Sequence, residues 1–206
     1  MSAGPRDGGR AAAVGCRAHT GWAALVVVAG GGERPEVFLR GRAELADPDG
    51  RVRKNAYQAG RALDLAAAAD LVEAAGRIAA DQAATELKRT VSEAGNEGAD
   101  VRLCAVVAGS SREAPLESIL KSHALAHAAE GRLYQRALLQ GAEACGLDAV
   151  AVPKRSIWEQ GEAAFGIARD ELRQRIDGVG RDVGPPWTED QKLAALAAWI
   201  AVARSS

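Results

Sequence analysis

Apolar and polar positions alternate with two different periods along this chain, and the changes between them mark its elements. Ala11–Cys16 and Trp22–Ala29 are short Val- and Ala-rich runs separated by Arg17-Ala18-His19-Thr20-Gly21, the composition of two strands and a turn. Gly30-Gly31-Gly32 with Pro35 makes a second turn, and Glu36–Leu45 then alternates Val37 and Leu39 against Arg40, Arg42 and Glu44. These runs predict a three-stranded antiparallel meander. After the Asp47-Pro48-Asp49-Gly50 turn the period becomes helical. Leu71, Ala75, Ile78, Ala79, Leu87 and Val91 predict a helix over about 65–94, capped by Asp64 and ended by Gly95-Asn96. Val101–Ala108 is almost wholly apolar, as a strand covered on both faces would be. A second long helix is predicted from Leu116 to Cys145, a fifth strand over Ala149–Val152 and short helices over about 156–165 and 168–176. A last helix follows from Glu189 to about Ala203, its start marked by the capping-box spacing of Thr188 and Gln191.

The order β-β-β-α-β-α-β-α predicts an α/β fold, a mixed five-stranded sheet with helices on its faces. A chain of 206 residues suffices for one well-packed domain. The expected organisation is a disordered tail over residues 1–10 and one domain over 11–206, with a helical insertion at about 156–186. The net charge of −1 argues against a general attraction to nucleic acid or anionic membrane, leaving local basic patches as the route to a phosphate partner. No apolar run approaches the roughly 18 residues of a membrane span. Cys16, Cys104 and Cys145 lack CxxC spacing and read as buried thiols of a cytoplasmic protein.

The predicted second long helix carries the main chemical candidates. His123, His127 and Glu130 stand at i, i+4 and i+7 and fall within its apolar arc, where an unpartnered polar group costs several kcal/mol. Three explanations compete. The first is a buried hydrogen-bond network organised by Glu130, accepting from an imidazole or from Arg17. The second is an acid–base site, with His19 added from the first turn. The third is a divalent or transition-metal site with His123, His127 and Glu130 as ligands and His19 completing the shell. Ser110 and Ser111, after the central strand, are the nearest nucleophile candidates, though a turn and helix-entry pair is the favoured explanation of them. Arg17, Arg40, Arg42 and Arg53, with Arg51 and Lys54 beside them, form the best candidate surface for nucleic-acid phosphates. Gly30-Gly31-Gly32 lacks the strand–loop–helix context of a phosphate loop.

Val14-Gly15-Cys16-Arg17-Ala18-His19-Thr20-Gly21-Trp22 resembles the first-strand signature of RuvC-like Holliday-junction resolvases within the ribonuclease H-like superfamily. Glu130-Gly131-Arg132 through Val150, and Asp190-Gln191-Lys192-Leu193-Ala194, are similar to its later helix–strand and last-helix segments. The resemblance implies a ribonuclease H-like fold and a nucleic-acid partner. It further implies two divalent ions held by carboxylates from the first strand, the fourth strand and the last helix. This chain departs from that pattern. Cys16 or Arg17 stands at the first-strand position, no acid follows the fourth strand closely, and only Glu189 and Asp190 match the last-helix acids. The expected function is therefore a RuvC-like protein with a degenerate centre, without standard two-metal cleavage and retaining nucleic-acid binding. A small enzyme built on the His/His/Glu group, and a non-catalytic interaction module forming a homodimer, are the alternatives.

Overall fold

The computed structural model describes residues 9–30, 33–109 and 113–205. Strands β1 (Arg10–His19), β2 (Trp22–Ala29) and β3 (Glu36–Glu44) form the meander. A short helix α1 (Ala56–Gly60) precedes the long α2 (Leu65–Asn96). Strand β4 (Ala99–Ala108) follows, then α3 (Leu116–Lys121), α4 (His123–Ala144) and β5 (Asp148–Pro153). Helices α5 (Ile157–Phe165), α6 (Arg169–Val183) and α7 (Glu189–Ser205) complete the chain. The sheet order is β3-β2-β1-β4-β5, with β1–β2 and β2–β3 antiparallel and β1–β4 and β4–β5 parallel. Arg10 opens β1, and the rest of the expected tail lies almost wholly outside the described residues, as do Gly31 and Gly32 of the second turn.

Side chains alternate across the sheet with the period of the pleat. Ala12, Val14, Cys16 and Ala18 of β1 enter the core shared with α2 and α4, alongside Leu25, Val27, Cys104, Leu87, Leu133 and Leu138. Ala13 enters the opposite core beneath α5, α6 and α7, with Val26, Val28, Val107, Ile176 and Trp199. Every residue of α7 from Leu193 to Val202 is buried, because the sheet covers one side and α5 and α6 the other. This explains the absence of a polar stripe. It also explains the alanines, which let the helix lie close to the sheet.

The closest approach is at Gly15, where an added Cβ would fall 1.8 Å from the Ala194 carbonyl oxygen. Gly21, at φ +84°, turns the chain between β1 and β2.

Three sequence expectations are corrected. The helix expected over Leu116–Cys145 is two helices, broken at Ser122, whose backbone is extended and whose Oγ accepts from Leu125 N–H to cap α4. Helix α1 lies between the Asp47-Pro48-Asp49-Gly50 turn and α2, where no element was predicted. The turn expected from Arg17 is only Thr20-Gly21, so Arg17 and His19 are strand residues.

Candidate functional site

The parallel strands β1 and β4 end side by side, with Arg17 paired in register to Val107. Ligand sites of open α/β sheets lie beyond the carboxyl ends of such strands. A cleft of about 420 Å³ opens there. Arg17, Ala18, His19 and Thr20 of the β1–β2 hairpin, Gly109 after β4, and His127, Ala128, Gly131 and Gln135 of α4 line it. Gln135 Oε1 accepts from Gly109 N–H at 3.3 Å, tying α4 to the end of β4.

Two spacings set the chemistry at the base of this cleft. Arg17 is two residues past Gly15, about 6.6 Å along the strand. Asp190 is four residues before Ala194, about 6 Å along the helix. Because Ala194 rests on Gly15, Asp190 is delivered to Arg17. Arg17 Nε lies 3.7 Å from Asp190 Oδ1, and His19 Nε2 lies 3.0 Å from the same oxygen. Both nitrogens are buried, and neither has an aligned hydrogen bond. The His19 ring stacks on Trp22 at 4.4 Å, and the Arg42 guanidinium sits 4.0 Å from the Trp22 ring centre while pairing with Glu44. Cys16 points to the opposite face, so Arg17 is the β1 residue that confronts α7.

The His123, His127 and Glu130 group does not converge. Glu130 is buried, 2% exposed, but the two histidines are exposed. The break at Ser122 leaves His123 at the exposed first residue of α4, near Arg61 Nη1, 3.5 Å from its Nδ1. His127 faces the cleft. Among the described residues no group of three or more His, Cys, Asp or Glu side chains is placed to hold a metal ion. The three side chains do not meet around one point in this structure.

Glu130 binds α1 instead. Its Oε1 accepts from Gln58 N–H at 3.1 Å, and the Ala56 and Tyr57 N–H groups also favour its charge. The carboxylate thus serves the open N-terminus of a helix whose own cap residue, Asn55, makes no side-chain cap bond. Burial outweighs these donors and lifts the Glu130 carboxyl from 4.5 to about 7. One turn later, Tyr134 OH donates to the Lys54 carbonyl at 2.6 Å. Its phenol is pushed up by burial and then by the charge of Glu130. Glu130 does organise a buried network, but its partners are the backbone of α1 rather than an imidazole or Arg17.

The remaining candidates are dispersed. Glu189 is exposed at the start of α7, beside the reciprocal Thr188–Gln191 cap. The Arg40 guanidinium donates to the carbonyls of Val183, Gly184, Pro185 and Pro186, so it secures the connection between α6 and α7. Arg53 is exposed on the loop before α1. Ser110 and Ser111 lie outside the described residues. Thr20, Gly131 and Gln135 were not anticipated. The signal for the latter two was present, since His127, Gly131 and Gln135 follow an i, i+4, i+8 stripe along one edge of α4.

The sheet order and the placement of α7 across β1, β2 and β4 define a ribonuclease H-like α/β fold of the RuvC type. Over 95% of each chain, the structure matches that of T. thermophilus RuvC in complex with a Holliday junction substrate, with TM-score 0.55 and 10% sequence identity. A second Thermus thermophilus RuvC structure matches with TM-score 0.55 and 12% identity, covering 94% of this chain and 95% of that one. No protein-family model and no curated protein matches the sequence.

The paired divalent ions that the resemblance implies do not fit these residues. A cation cage needs converging oxygen ligands. Among the described residues Asp190 is the one carboxylate facing Arg17 at the junction of β1 and α7, and the Arg17 guanidinium already confronts it.

Proposed function

We propose that this chain is a RuvC-fold nucleic-acid-binding protein that engages phosphate through fixed cationic and neutral polar side chains, without a two-metal centre. The observation that carries this reading is the Arg17–Asp190 contact at the base of a cleft whose described lining contains no carboxylate. Arg17 presents a planar donor array of the kind suited to phosphate oxygens. His127, Thr20 and Gln135 add donors around it, and Arg53 and Lys54 are exposed on the loop after the meander. The overall charge near neutrality means that binding depends on this local surface.

The test is a salt titration of binding to branched DNA, single-stranded DNA and RNA, carried out in EDTA. The expected result is binding at low salt that persists without divalent ions, with a log–log salt slope that falls by about one in Arg17→Gln. Absence of binding at low salt, or an absolute need for Mg²⁺, refutes the reading.

A further inference from the structure

The cleft gathers two imidazoles and a guanidinium from separate elements. His19 comes from the end of β1 and His127 from α4, and both line the same space with Arg17. At about 420 Å³ the cleft is within the range of small-ligand sites and of the scale of one nucleotide unit. Its described lining holds no serine, cysteine or carboxylate, and Thr20 supplies its one hydroxyl. Among the described residues, a phosphodiester placed there finds proton carriers and a cation, and no activated protein nucleophile. The chemistry that needs only the first two is one in which the substrate brings its own nucleophile.

We propose that the cleft cleaves RNA by internal transphosphorylation, an inference that rests on the phosphate-binding reading above. The ribose 2′-hydroxyl attacks the adjacent phosphorus, forming the 2′-O–P bond as the P–O5′ bond breaks. His127 takes the 2′-hydroxyl proton. His19, whose Nε2 lies 3.0 Å from Asp190 Oδ1, gives a proton to the departing O5′. Arg17 binds the phosphate oxygens on which negative charge accumulates. The products are a 2′,3′-cyclic phosphate and a 5′-hydroxyl. No water, metal or redox partner enters the balance, and the two histidines exchange protonation states through solvent afterwards. Asp190 and the stacked Trp22 hold the His19 ring in place, so they are positioning residues. DNA, lacking the 2′-hydroxyl, binds without being cut.

The experiment incubates the intact protein in EDTA with a fluorescent DNA strand containing a single ribonucleotide, and with its all-DNA equivalent. Wild type, His19→Ala and His127→Ala are purified in parallel and checked for native circular dichroism. His19→Gln stands in if the alanine variant does not fold. Mass spectrometry reads the ends, and binding is measured on the same samples. The expected result is cleavage only at the ribonucleotide, with a cyclic phosphate end and roughly 100-fold loss in each histidine variant. Binding without cleavage overturns this inference and leaves the binding reading intact. Absence of binding overturns both. Cleavage that is equal in the variants, or that requires a divalent ion, assigns the activity elsewhere and overturns the inference.

Discussion

Replacing Glu130 by Gln should make the protein more stable at pH 8 and leave it nearly unchanged at pH 5. Burial raises the carboxyl from 4.5 to about 7 against the opposing pull of the α1 N–H groups. In the unfolded chain this group ionises near 4.5, whereas in the folded chain it keeps its proton until about 7. The folded state therefore binds the extra proton between those values, and stability falls as pH rises through that window. Below 4.5 the contribution is fully present, and above about 7 it is gone. At about 1.4 kcal/mol per pH unit the gap is worth up to about 3 kcal/mol. Relaxation of the surroundings around the charge reduces this to about 2 kcal/mol. The groups facing the carboxyl are the N–H groups of Ala56, Tyr57 and Gln58 on α1, the Tyr134 phenol one turn along α4, and the charge-sensitive Tyr57 ring. A glutamine keeps an acceptor for Gln58 N–H but never ionises. Thermal melts followed by far-ultraviolet circular dichroism at pH 5 and pH 8 test this. A gain of about 2 kcal/mol in a domain of this size raises Tm by roughly 4–8 °C at pH 8. A Glu130→Gln variant destabilised equally at both pH values would refute the argument. It would mean that the ionised carboxylate stabilises α1 by more than its burial costs.

Gly15→Ala should cost about 3 kcal/mol or abolish soluble expression, because the new methyl meets the Ala194 backbone and α7 has no free side to move toward; urea unfolding measures it. Arg40→Ala should cost about 2 kcal/mol, since four carbonyl contacts to residues 183–186 are lost. Limited proteolysis should then cut between α6 and α7, and an unchanged digestion pattern would contradict the clamp. In native protein a thiol reagent should label Cys145 and spare Cys16 and Cys104, whose sulfurs face each other 3.7 Å apart in the core. The Cys104 contact and then burial also push the Cys16 thiol up. Labelling of all three in denaturant completes the comparison.

Strand order, helix order and the resemblance to RuvC were legible because they rest on periodicities that survive without tertiary information. The site was less legible for a definable reason. The trio at 123, 127 and 130 looked coherent only on a continuous helix, and Ser122 interrupts that helix by capping α4 itself. The partner of Glu130 could not be read because α1 is one short helix within a polar stretch, and its need for an acceptor arises only once α4 packs beside it. Arg17 and His19 looked like turn residues. Their strand character follows from pairing with Ala24 and Trp22 on β2, and that pairing is what turns both toward α7.

The Arg17–Asp190 contact is best understood from the constraint that surrounds it. The approach of α7 to β1 at Gly15 is enforced by backbone contact, so the residue two places along β1 and the residue one turn earlier on α7 must face each other whatever they are. Two carboxylates at these positions would repel, and a shared cation would relieve that repulsion. An arginine opposite an aspartate relieves it from within the chain. In a pocket 15–31% exposed at its two side chains, removing Arg17 alone leaves Asp190 facing, among the described residues, only His19. Arg17→Ala is therefore expected to destabilise the hairpin end as well as weaken phosphate binding. Arg17→Gln, which keeps a donor for Asp190, is the variant that separates the two effects. If Arg17→Gln binds nucleic acid as tightly as wild type at low salt, the guanidinium serves the fold alone and the cleft's affinity for phosphate lies with other groups.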